Sequence, residues 1–181
     1  MRLRSATPDD AAAIADLYAS YVTGSAVSFE TEAPDAEAMR ARIEGTGALY
    51  PWIAAEAGDG TLLGYAHAAR FRERSAYRFT VETTIYLRPE TAGRGLGRRL
   101  YAPLIATLEA QGFTQAIAAI TLPNPASVAL HERLGFGQAG TYLEVGWKLG
   151  AWHDVGLWQR ALAPAASPPV EPRPPRLADF L

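Results

Sequence analysis

Apolar and polar residues along the chain follow two periods, and these predict both helices and strands. Ile14, Leu17, Tyr18 and Tyr21 recur at steps of three and four residues, as in one amphipathic helix. Residues 116–122 form a short, continuous apolar run, which is typical of a buried strand. The same analysis predicts strands at 2–6, 50–57, 61–71, 80–87, 116–122, 138–147 and 155–162, and helices that begin at 7–10 and cover 35–44, 95–111 and 126–134.

Glycine and proline mark the boundaries between these elements. Gly58-Asp59-Gly60 predicts a hairpin between strands 50–57 and 61–71, which strand 80–87 would extend into an antiparallel meander. Gly112 is a typical residue after the end of a helix, and Pro123 breaks strand 116–122 before the next helix. The last two strands are predicted to form a hairpin around residues 150–154.

The length of the chain favours a single domain. At 181 residues it can bury a proper core but is too short for two domains. We assign this domain to residues 1–162. From residue 163 onward the sequence is dense in proline and has little to bury, so residues 163–181 are predicted to form an extended or disordered tail.

Composition excludes several classes of function. A net charge of -2 gives no field that would attract nucleic acid or an anionic membrane. The absence of cysteine excludes disulfides and thiolate catalysis, and three scattered histidines argue against a metal site. No apolar run approaches the length of a membrane span, and the N-terminus lacks the apolar core of a signal peptide, so we expect a cytoplasmic protein.

The most informative segment is residues 80–100, TVETTIYLRPETAGRGLGRRL. Its first eight residues are rich in β-branched and aromatic types and predict a strand that is buried on both faces. A glycine turn and a helix follow, an order that directs free N–H groups and the positive end of a helix dipole towards one point. Such a turn suits a phosphate or a pyrophosphate; a βα turn without a ligand is the alternative. Three arginines add positive charge there: Arg94, Arg98 and Arg99.

Two other phosphate-binding loops do not fit the spacing. A P-loop requires Lys and Ser or Thr after its last glycine, whereas Arg98 and Arg99 follow Gly97. A dinucleotide-binding fingerprint requires its third glycine three residues after the second, whereas Gly97 follows Gly95 by two, and it requires a strand that opens the first βαβ unit of the chain.

The segment Ala92-Gly93-Arg94-Gly95-Leu96-Gly97 resembles the pyrophosphate loop of the GCN5-related N-acetyltransferases (GNAT), whose pattern is Gln/Arg-x-x-Gly-x-Gly/Ala. Ala92 departs from this pattern, which removes one side-chain contact and leaves the backbone amides. Residues 124–127 (NPAS) and 130–136 (LHERLGF) resemble the second acetyl-CoA segment of the same family, with His131 where Tyr is usual.

Three further segments resemble one branch of this family, the phosphinothricin and methionine sulfoximine acetyltransferases, which are associated with herbicide and antibiotic resistance. These segments are VSFETE at 27–32, TVETTIYL at 80–87 and WHDVGLWQR at 152–160. The likeness extends from near the N-terminus to about Arg160.

The resemblance implies a fold and a co-substrate. The GNAT fold is α/β (α+β), with a mixed central sheet of about six to seven strands and helices on both faces. Strand 80–87 is expected to splay from strand 116–122, and the pantetheine arm of acetyl-CoA is expected in that gap. A homodimer is expected, and no metal. The implied acetyl-CoA contacts are the main-chain groups of Ile85, Tyr86 and Leu87, the loop residues Ala92, Gly93, Arg94, Gly95, Leu96 and Gly97, and Arg98 and Asn124.

Glu82 and His131 are the candidate catalytic residues. Glu82 lies among apolar and β-branched residues, which strengthen the hold of a carboxylate on its proton; it is therefore a candidate general base, directly or through a water, or else a structural carboxylate. His131 is a candidate acid for the sulfur of CoA, because imidazole and thiol titrate within reach of each other, or else a packed histidine. His67 and His153 are predicted to be packing or interface residues.

Arginines near the end of strand 61–71 are candidates for substrate binding. Arg70, Arg72 and Arg74 alternate and would share one face if the strand continued. Guanidinium groups bind carboxylates and phosphinates as paired donors, although a solvated hairpin tip is the alternative. Phe29 is either a plug over the core or a pocket wall. With the resemblance, the expected substrate contacts are Phe29, Arg72, Arg74, Tyr77, Val81 and Thr83.

The sequence therefore predicts an N-acetyltransferase that moves the acetyl group of acetyl-CoA to a small amino-acid-like amine such as phosphinothricin or methionine sulfoximine. Direct attack in a ternary complex is expected, with the main-chain N–H near Leu87 stabilising the oxyanion. Two alternatives stay open. One is acetylation of a protein N-terminus or another small amine, and the other is a non-catalytic acetyl-CoA-binding module.

Overall fold

The computed structural model describes residues 1–91 and 93–175, and these contain one mixed sheet of seven strands with two helices on each face. The strand order is β1-β2-β3-β4-β5-β7-β6. The strands are β1 (Arg2–Ser5), β2 (Trp52–Glu56), β3 (Leu62–Arg70), β4 (Thr80–Leu87), β5 (Gln115–Leu122), β6 (Gly137–Lys148) and β7 (Ala151–Ala161). The helices are α1 (Ala11–Gly24), α2 (Ala36–Gly45), α3 (Leu96–Gln111) and α4 (Pro125–Arg133).

The predicted strands and helices are confirmed, with one misplaced turn. β6 and β7 pair up to Lys148 and Ala151, so the hairpin turns at residues 149 and 150 and not around 150–154. Leu149 (φ 52°) and Gly150 (φ 77°) are both left-handed, as a two-residue turn between twisted strands requires. The start of α1 also differs, because a 3-10 turn at Pro8–Asp10 precedes the helix.

The sheet is antiparallel except where β4 meets β5. These two parallel strands pair only from Thr80 to Glu82 on β4 and from Gln115 to Ile117 on β5. Beyond that point they diverge, while β4 stays paired with β3 up to Leu87 and β5 stays paired with β7 up to Leu122. The expected splay between the two strands is therefore present in the middle of the sheet.

Each face of the sheet carries its own hydrophobic core. α1 and α2 cover one face, called face A here, where Ile14, Met39 and Tyr65 are buried. α3 and α4 cover the other, face B, where Val81 and Leu104 are buried. Alternate residues of a strand point to opposite faces, so successive residues of β4 point to face A and face B in turn.

The prediction that β4 is buried on both faces is correct only for Val81 and Thr83, since Ile85 and Leu87, further along on face B, are partly exposed. Val81 and Thr83, which point to face B, are buried, whereas Glu82, Thr84 and Tyr86, which point to face A, are partly exposed. The physical reason is that helix α2 leaves an open cavity over this part of face A.

The segment after β7 returns to the body of the domain. Arg173 N donates to Gln111 O at 2.9 Å. The Nε2 group of Gln111 donates to Arg173 O at 2.9 Å and to Leu49 O at 2.8 Å. Arg78 donates to the carboxylate of Glu171 at 2.7–3.0 Å, so this segment also touches the loop between β3 and β4.

Residues 176–181 of the predicted tail lie outside the described residues. Of the helices described, none has the length and apolar character needed to cross a membrane.

Candidate active site

The glycine loop leads directly into the first turn of α3. Gly93 (φ 75°) and Gly95 (φ 71°) are left-handed, which glycine adopts without strain. A side chain at either would meet no atom within 4 Å, so the requirement is for conformation and not for space. Arg99 N donates to Gly95 O at 3.2 Å in the first turn of the helix. The N–H groups of a first helical turn in general lack partners within the helix and suit an anion.

The loop residues that are predicted to contact acetyl-CoA differ in which of their groups are exposed to a ligand. The side chains of Arg94 and Arg98 reach the surface, whereas Leu96 is buried and offers only its main chain. Gly97 lies where a Cβ would be 3.2 Å from Leu130 Cδ2, so its role is close packing of α3 against α4. Ala92 lies outside the described residues.

The splay between β4 and β5 forms a narrow cleft of about 50 Å³. Its walls are residues 83–86 of β4 and 118–121 of β5, and Asn124, Ser127 and His131 line it from the side of α4. The Oδ1 atom of Asn124 accepts from Ser127 N at 3.1 Å, so its amide N–H groups remain for a ligand.

Backbone direction decides which groups of β4 face this cleft. Arg88 N donates to Leu63 O at 2.8 Å, and therefore Tyr86, two residues earlier, also turns its main chain towards β3. The expected main-chain contact of Tyr86 with acetyl-CoA is thus wrong, because those groups belong to the β3 ladder. Ile85 and Leu87 point the other way. The carbonyl of Leu87 accepts from Tyr21 Oη at 2.6 Å.

His131 is buried at the side of the cleft and belongs to a chain of hydrogen bonds. Its Nδ1 lies 2.8 Å from Ser127 O, and its Nε2 lies 3.1 Å from Tyr101 Oη. Tyr101 Oη in turn lies 2.6 Å from Thr83 Oγ1, and Thr83 Oγ1 donates to Ile117 O at 3.3 Å. Burial lowers the pKa of His131, and the bond to the Ser127 carbonyl opposes this shift.

This chain can satisfy His131 in both of its protonation states. The carbonyl of Ser127 only accepts, so Nδ1 carries a proton in either state. In neutral imidazole, the hydroxyl of Tyr101 donates to Nε2. In imidazolium, Nε2–H donates to Tyr101, whose hydroxyl then donates to Thr83, because hydroxyl hydrogens rotate freely. Sequence analysis missed Tyr101, which gave no signal beyond its place on an amphipathic helix.

Glu82 points to face A, opposite to Thr83. It lies beside Ala69 on β3. Burial raises the pKa of Glu82, and the positive charge of Arg72 opposes this shift. The two candidate catalytic residues therefore lie on opposite faces of β4, and the cleft beside that strand separates them.

Comparison with known proteins identifies the family. Residues 3–157 match the family model described as Acetyltransferase (GNAT) domain. The chain belongs to the GNAT acetyltransferases. A phosphinothricin N-acetyltransferase of Streptomyces viridochromogenes is 42% identical over 95% of this chain and 94% of its own length. An L-methionine sulfoximine/L-methionine sulfone acetyltransferase of Pseudomonas paraeruginosa is 41% identical over 66% of this chain and 70% of its own.

A solved structure agrees in fold with this GNAT acetyltransferase. The phosphinothricin acetyltransferase of Sinorhizobium meliloti, in complex with AcCoA, is 36% identical and has a TM-score of 0.88. The similarity covers 99% of this chain and 97% of that one. The recognition of the family from its motifs is therefore confirmed, as are the GNAT fold and the assignment to N-acetyltransferases.

The arginines proposed to bind substrate in this GNAT acetyltransferase do not share one extended face. β3 ends at Arg70, which forms an ion pair with Glu73 at 3.2 Å. Arg72 instead stacks its guanidinium over Phe71, with 4.9 Å between Cζ and the ring centroid. The condition for a shared strand face is not met, because the chain leaves extended geometry after Arg70, but Arg70, Arg72 and Arg74 all line one cavity of about 250 Å³. Arg72 is the residue of this group whose charge acts on Glu82.

The other expected substrate contacts are dispersed. Val81 is fully buried in the core on face B, which leaves it no surface for a substrate. Thr83 is buried, with its hydroxyl in the His131 chain. Tyr77 is exposed and packs edge-on against Phe71 at 5.7 Å between centroids. Phe29 lies close against Gly146, where a Cβ would collide with its ring.

A buried lysine fixes the loop that carries Phe29. Lys148 Nζ donates to Ser28 O at 2.6 Å. The hydroxyl of Ser28 lies 2.7 Å from Tyr18 Oη, which donates to Glu30 at 2.8 Å. The loop between α1 and α2 is therefore tied to the β6–β7 hairpin as well as to α1. Neither Lys148 nor Gly146 stood out in the sequence.

The remaining histidines of this GNAT acetyltransferase have structural contacts. His67 stacks on Trp52 at 4.0 Å between centroids, and burial lowers the pKa of His67 to about 4. His153 Nε2 donates to Lys148 O at 3.0 Å. Within residues 1–91 and 93–175, no group of three or more His, Cys, Asp or Glu is arranged to hold a metal ion.

Proposed function

We propose that this GNAT acetyltransferase moves the acetyl group of acetyl-CoA to the amine of a small amino-acid-like acceptor, the class that includes phosphinothricin and methionine sulfoximine. The observation that carries the proposal is the cleft between β4 and β5, with Glu82 on one face of β4 and His131 on the other. The names of the relatives at 41–42% identity support the choice of acceptor. Acetylation of a toxic amino acid analogue would make the enzyme a resistance factor.

The donor is proposed to lie along the cleft and across the glycine loop. The pyrophosphate binds the N–H groups at the start of α3, where Arg94 and Arg98 add positive charge from the surface. The pantetheine arm pairs with the main chain of Ile85 and with the amide of Asn124. The edge of β4 that faces the cleft is not paired with β5 beyond Glu82. The polar pantetheine arm would therefore form the hydrogen bonds with β4 that β5 does not form there.

The proposed reaction is direct attack of the acceptor amine on the thioester. Glu82 takes a proton from the ammonium group, and the free amine forms the new N–C bond. A main-chain N–H on the cleft edge of β4 stabilises the oxyanion of the tetrahedral intermediate. Leu87, the residue first expected to do this, lies five residues from Glu82, about 16 Å along an extended strand, which is too far for both to act on one reacting centre. The C–S bond then breaks, and the thiolate of CoA receives a proton from His131, either directly or through Tyr101 and Thr83. The products are the acetylated amine and free CoA.

The experiment that tests this function is a free-thiol assay with acetyl-CoA and a panel of amines. The panel contains phosphinothricin, methionine sulfoximine, ordinary amino acids and several peptides. We expect thiol release with amino acids or their analogues and little with peptides. Acetyl-CoA binding without thiol release for any amine would contradict the proposal and favour a non-catalytic module, whereas peptides as the best acceptors would favour N-terminal acetylation of proteins.

Arg72 is proposed to bind the carboxylate of the acceptor. Removal of one charged hydrogen-bond donor costs about 1.5–3 kcal/mol, so Arg72→Ala should raise the KM for the acceptor by about tenfold or more and leave the KM for acetyl-CoA unchanged. Steady-state kinetics with each substrate varied in turn measures both constants. Arg40→Ala is the matched control, because Arg40 is an exposed arginine on α2. An equal rise in both KM values would indicate general destabilisation and remove Arg72 from the acceptor site.

We propose that the enzyme forms a homodimer through the outer strand β6. An edge strand with exposed apolar side chains is a surface that proteins normally cover. Leu143 is 73% exposed and Trp147 is 57% exposed, and the other exposed apolar residues of this hairpin are Tyr142, Val145, Leu149 and Trp152. Light scattering should therefore give the mass of a dimer for the parent chain and of a monomer for Leu143→Glu. A parent chain that is monomeric at micromolar concentration would contradict this.

Acetyl-CoA is an intracellular metabolite, and we propose a cytoplasmic location on that ground. Cell fractionation with an antibody against the chain would test it. Recovery of the protein from the medium or the membrane fraction would contradict it.

A further inference from the structure

The loop between β3 and β4 is shaped by hydrogen bonds within itself. We call residues 71–78 the arginine loop. Tyr77 N donates to Arg74 O at 3.0 Å, and Arg78 N donates to Ser75 O at 3.1 Å. Among the described residues, the hydrogen bonds of this loop reach no further than three positions along the chain, except at the side chain of Arg78. Short-range bonds give the loop its shape but do not fix its position against the sheet.

The side chain of Arg78 joins the arginine loop to the segment after β7. Its Nε lies 2.9 and 3.0 Å from the two carboxylate oxygens of Glu171, and its Nη2 donates to Oε1 of Glu171 at 2.7 Å. Its Nη1 donates to Ser75 O at 3.1 Å, within the loop. Because a guanidinium is planar and rigid, bonds on two of its sides fix the loop in orientation relative to Glu171. Arg78 also holds the pKa of Glu171 below its usual value, so Glu171 is ionised at neutral pH.

The segment that carries Glu171 has an anchor of its own in the domain. Gln111, at the end of α3, is 2% exposed and bonds to Arg173 in both directions. The same amide also donates to Leu49 O at 2.8 Å. Buried hydrogen bonds of this kind are costly to lose, because the freed polar groups have no water to turn to. The segment therefore holds Glu171, two residues before Arg173, in a defined place.

Glu171 also borders the proposed acceptor site. Glu171 and Pro172 line the cavity of about 250 Å³ that Arg70, Arg72 and Arg74 line from the other side. Arg72 is proposed to bind the carboxylate of the acceptor. A guanidinium binds a carboxylate with paired donors only over a narrow range of orientations, so a small displacement of the loop weakens binding.

We propose that residues 163–175 form a strap that holds the arginine loop in place, and that Glu171 is a positioning residue for the acceptor. Glu171 acts through Arg78 and does not itself touch the acceptor. This inference rests on the proposed function, since it concerns binding of the acceptor in the same reaction. It also gives the proline-dense composition a purpose, because prolines restrict the undocked chain and so reduce the entropy lost when the strap docks.

Charge and position predict opposite effects for the loss of Glu171. Removal of a negative charge beside an anion site would by electrostatics alone strengthen the binding of a carboxylate. Displacement of the arginine loop would weaken it. Glu73→Gln is the matched control, because Glu73 lines the same cavity, is 92% exposed and pairs with Arg70 and not with the strap.

The first test measures the sign of this effect. Glu171→Gln should raise the KM for L-methionine sulfoximine by about threefold to fivefold, the range expected for an exposed ion pair, with kcat and the KM for acetyl-CoA within about twofold of the parent. In Glu73→Gln the KM for the acceptor should stay the same or decrease. Steady-state thiol release measures these constants. A lower or unchanged KM for the acceptor in Glu171→Gln would overturn the proposal, as would an equal rise in both KM values.

The second test reverses the ion pair. Arg78→Glu places two carboxylates opposite each other and should raise the KM for the acceptor by at least about threefold. The double variant Arg78→Glu/Glu171→Arg has the net charge of the parent and can form the pair in the opposite sense. We expect its KM to return to within about twofold of the parental value. If the effects of the two substitutions instead multiplied as independent changes, the pair would not be the link between strap and loop.

A third measurement separates the strap from the proposed function, because it requires no turnover. Hydrogen exchange of the amides in residues 71–78, followed by mass spectrometry, should be at least about threefold faster in Glu171→Gln than in the parent. Exchange in β2, which does not touch the strap through Arg78, should not change. Unchanged exchange in the arginine loop would overturn the strap whatever the thiol assay gives. Faster exchange in a protein that releases no thiol would support the strap and contradict the proposed function alone.

Discussion

The Glu82→Gln variant is expected to lose about a hundredfold or more in kcat while it binds acetyl-CoA as tightly as the parent chain. A positioned general base contributes about 10²–10⁴ to the rate, and Gln has the shape of Glu but cannot take a proton. Because burial raises the pKa of Glu82, the parent enzyme should show an acidic limb in which kcat rises with pH as the carboxylate ionises. This limb should be absent in the variant. The pH dependence of thiol release measures it.

Stability provides a check on the Glu82 result. A carboxyl group with a raised pKa in the folded state favours folding when protonated and loses that contribution as pH rises through the folded pKa. The glutamine side chain carries no charge at any pH, so the melting temperature of Glu82→Gln at mildly alkaline pH should equal or exceed that of the parent. Glu132→Gln is the control, because Glu132 is exposed on α4. Parental turnover at every pH would remove Glu82 from the mechanism.

The His131→Gln variant is expected to lose about a hundredfold in kcat at mildly acidic pH, with a smaller loss as pH rises. Only imidazolium can protonate the leaving thiolate. Because burial lowers the pKa of His131, the parent enzyme loses this acid as pH passes the lowered value, and its rate then approaches that of the variant. The ratio of the two kcat values, measured from mildly acidic to alkaline pH, reports this directly.

Tyr101→Phe is the companion to this variant. It keeps the ring that stacks on Phe136 but removes the hydroxyl between His131 and Thr83. We expect a decrease in kcat in the same direction, with the KM for acetyl-CoA unchanged. If the ratio of the kcat of the parent to the kcat of His131→Gln does not vary with pH, His131 acts through packing alone.

Local sequence signals predicted the fold and the glycine turn before α3 well. Three kinds of local feature were predicted from residue type, because each depends on a few adjacent residues. They are the glycine turn before α3, the caps of α3 and α4, and the hairpin at Gly58–Gly60. The turn between β6 and β7 was misplaced because Leu149 takes a left-handed conformation, which is unusual for leucine and carries no signal in the sequence.

The candidate site was predicted less completely, because its contacts are non-local. Tyr101 meets His131 across 30 residues through the packing of α3 against α4. Lys148 meets Ser28 across 120 residues. A shared strand face for Arg70, Arg72 and Arg74 required extended geometry beyond Arg70, whereas the chain turns there and the three arginines line one cavity instead. Spacing along the sequence could not reveal contacts of this kind.

Glu82 and His131 lie on opposite faces of β4, so the proposed catalytic cycle takes up and releases protons on different sides of the sheet. The amine delivers a proton on the side of α1 and α2, and the thiolate consumes one on the side of α3 and α4. Each turnover therefore leaves a surplus of one proton on the first side and a deficit on the second. The two sides are restored separately, through water at the open face for Glu82 and through the enclosed Tyr101–Ser127 environment for His131. His131 would then regain its proton through the cleft that it lines or through the hydroxyl of Tyr101 before the next cycle begins.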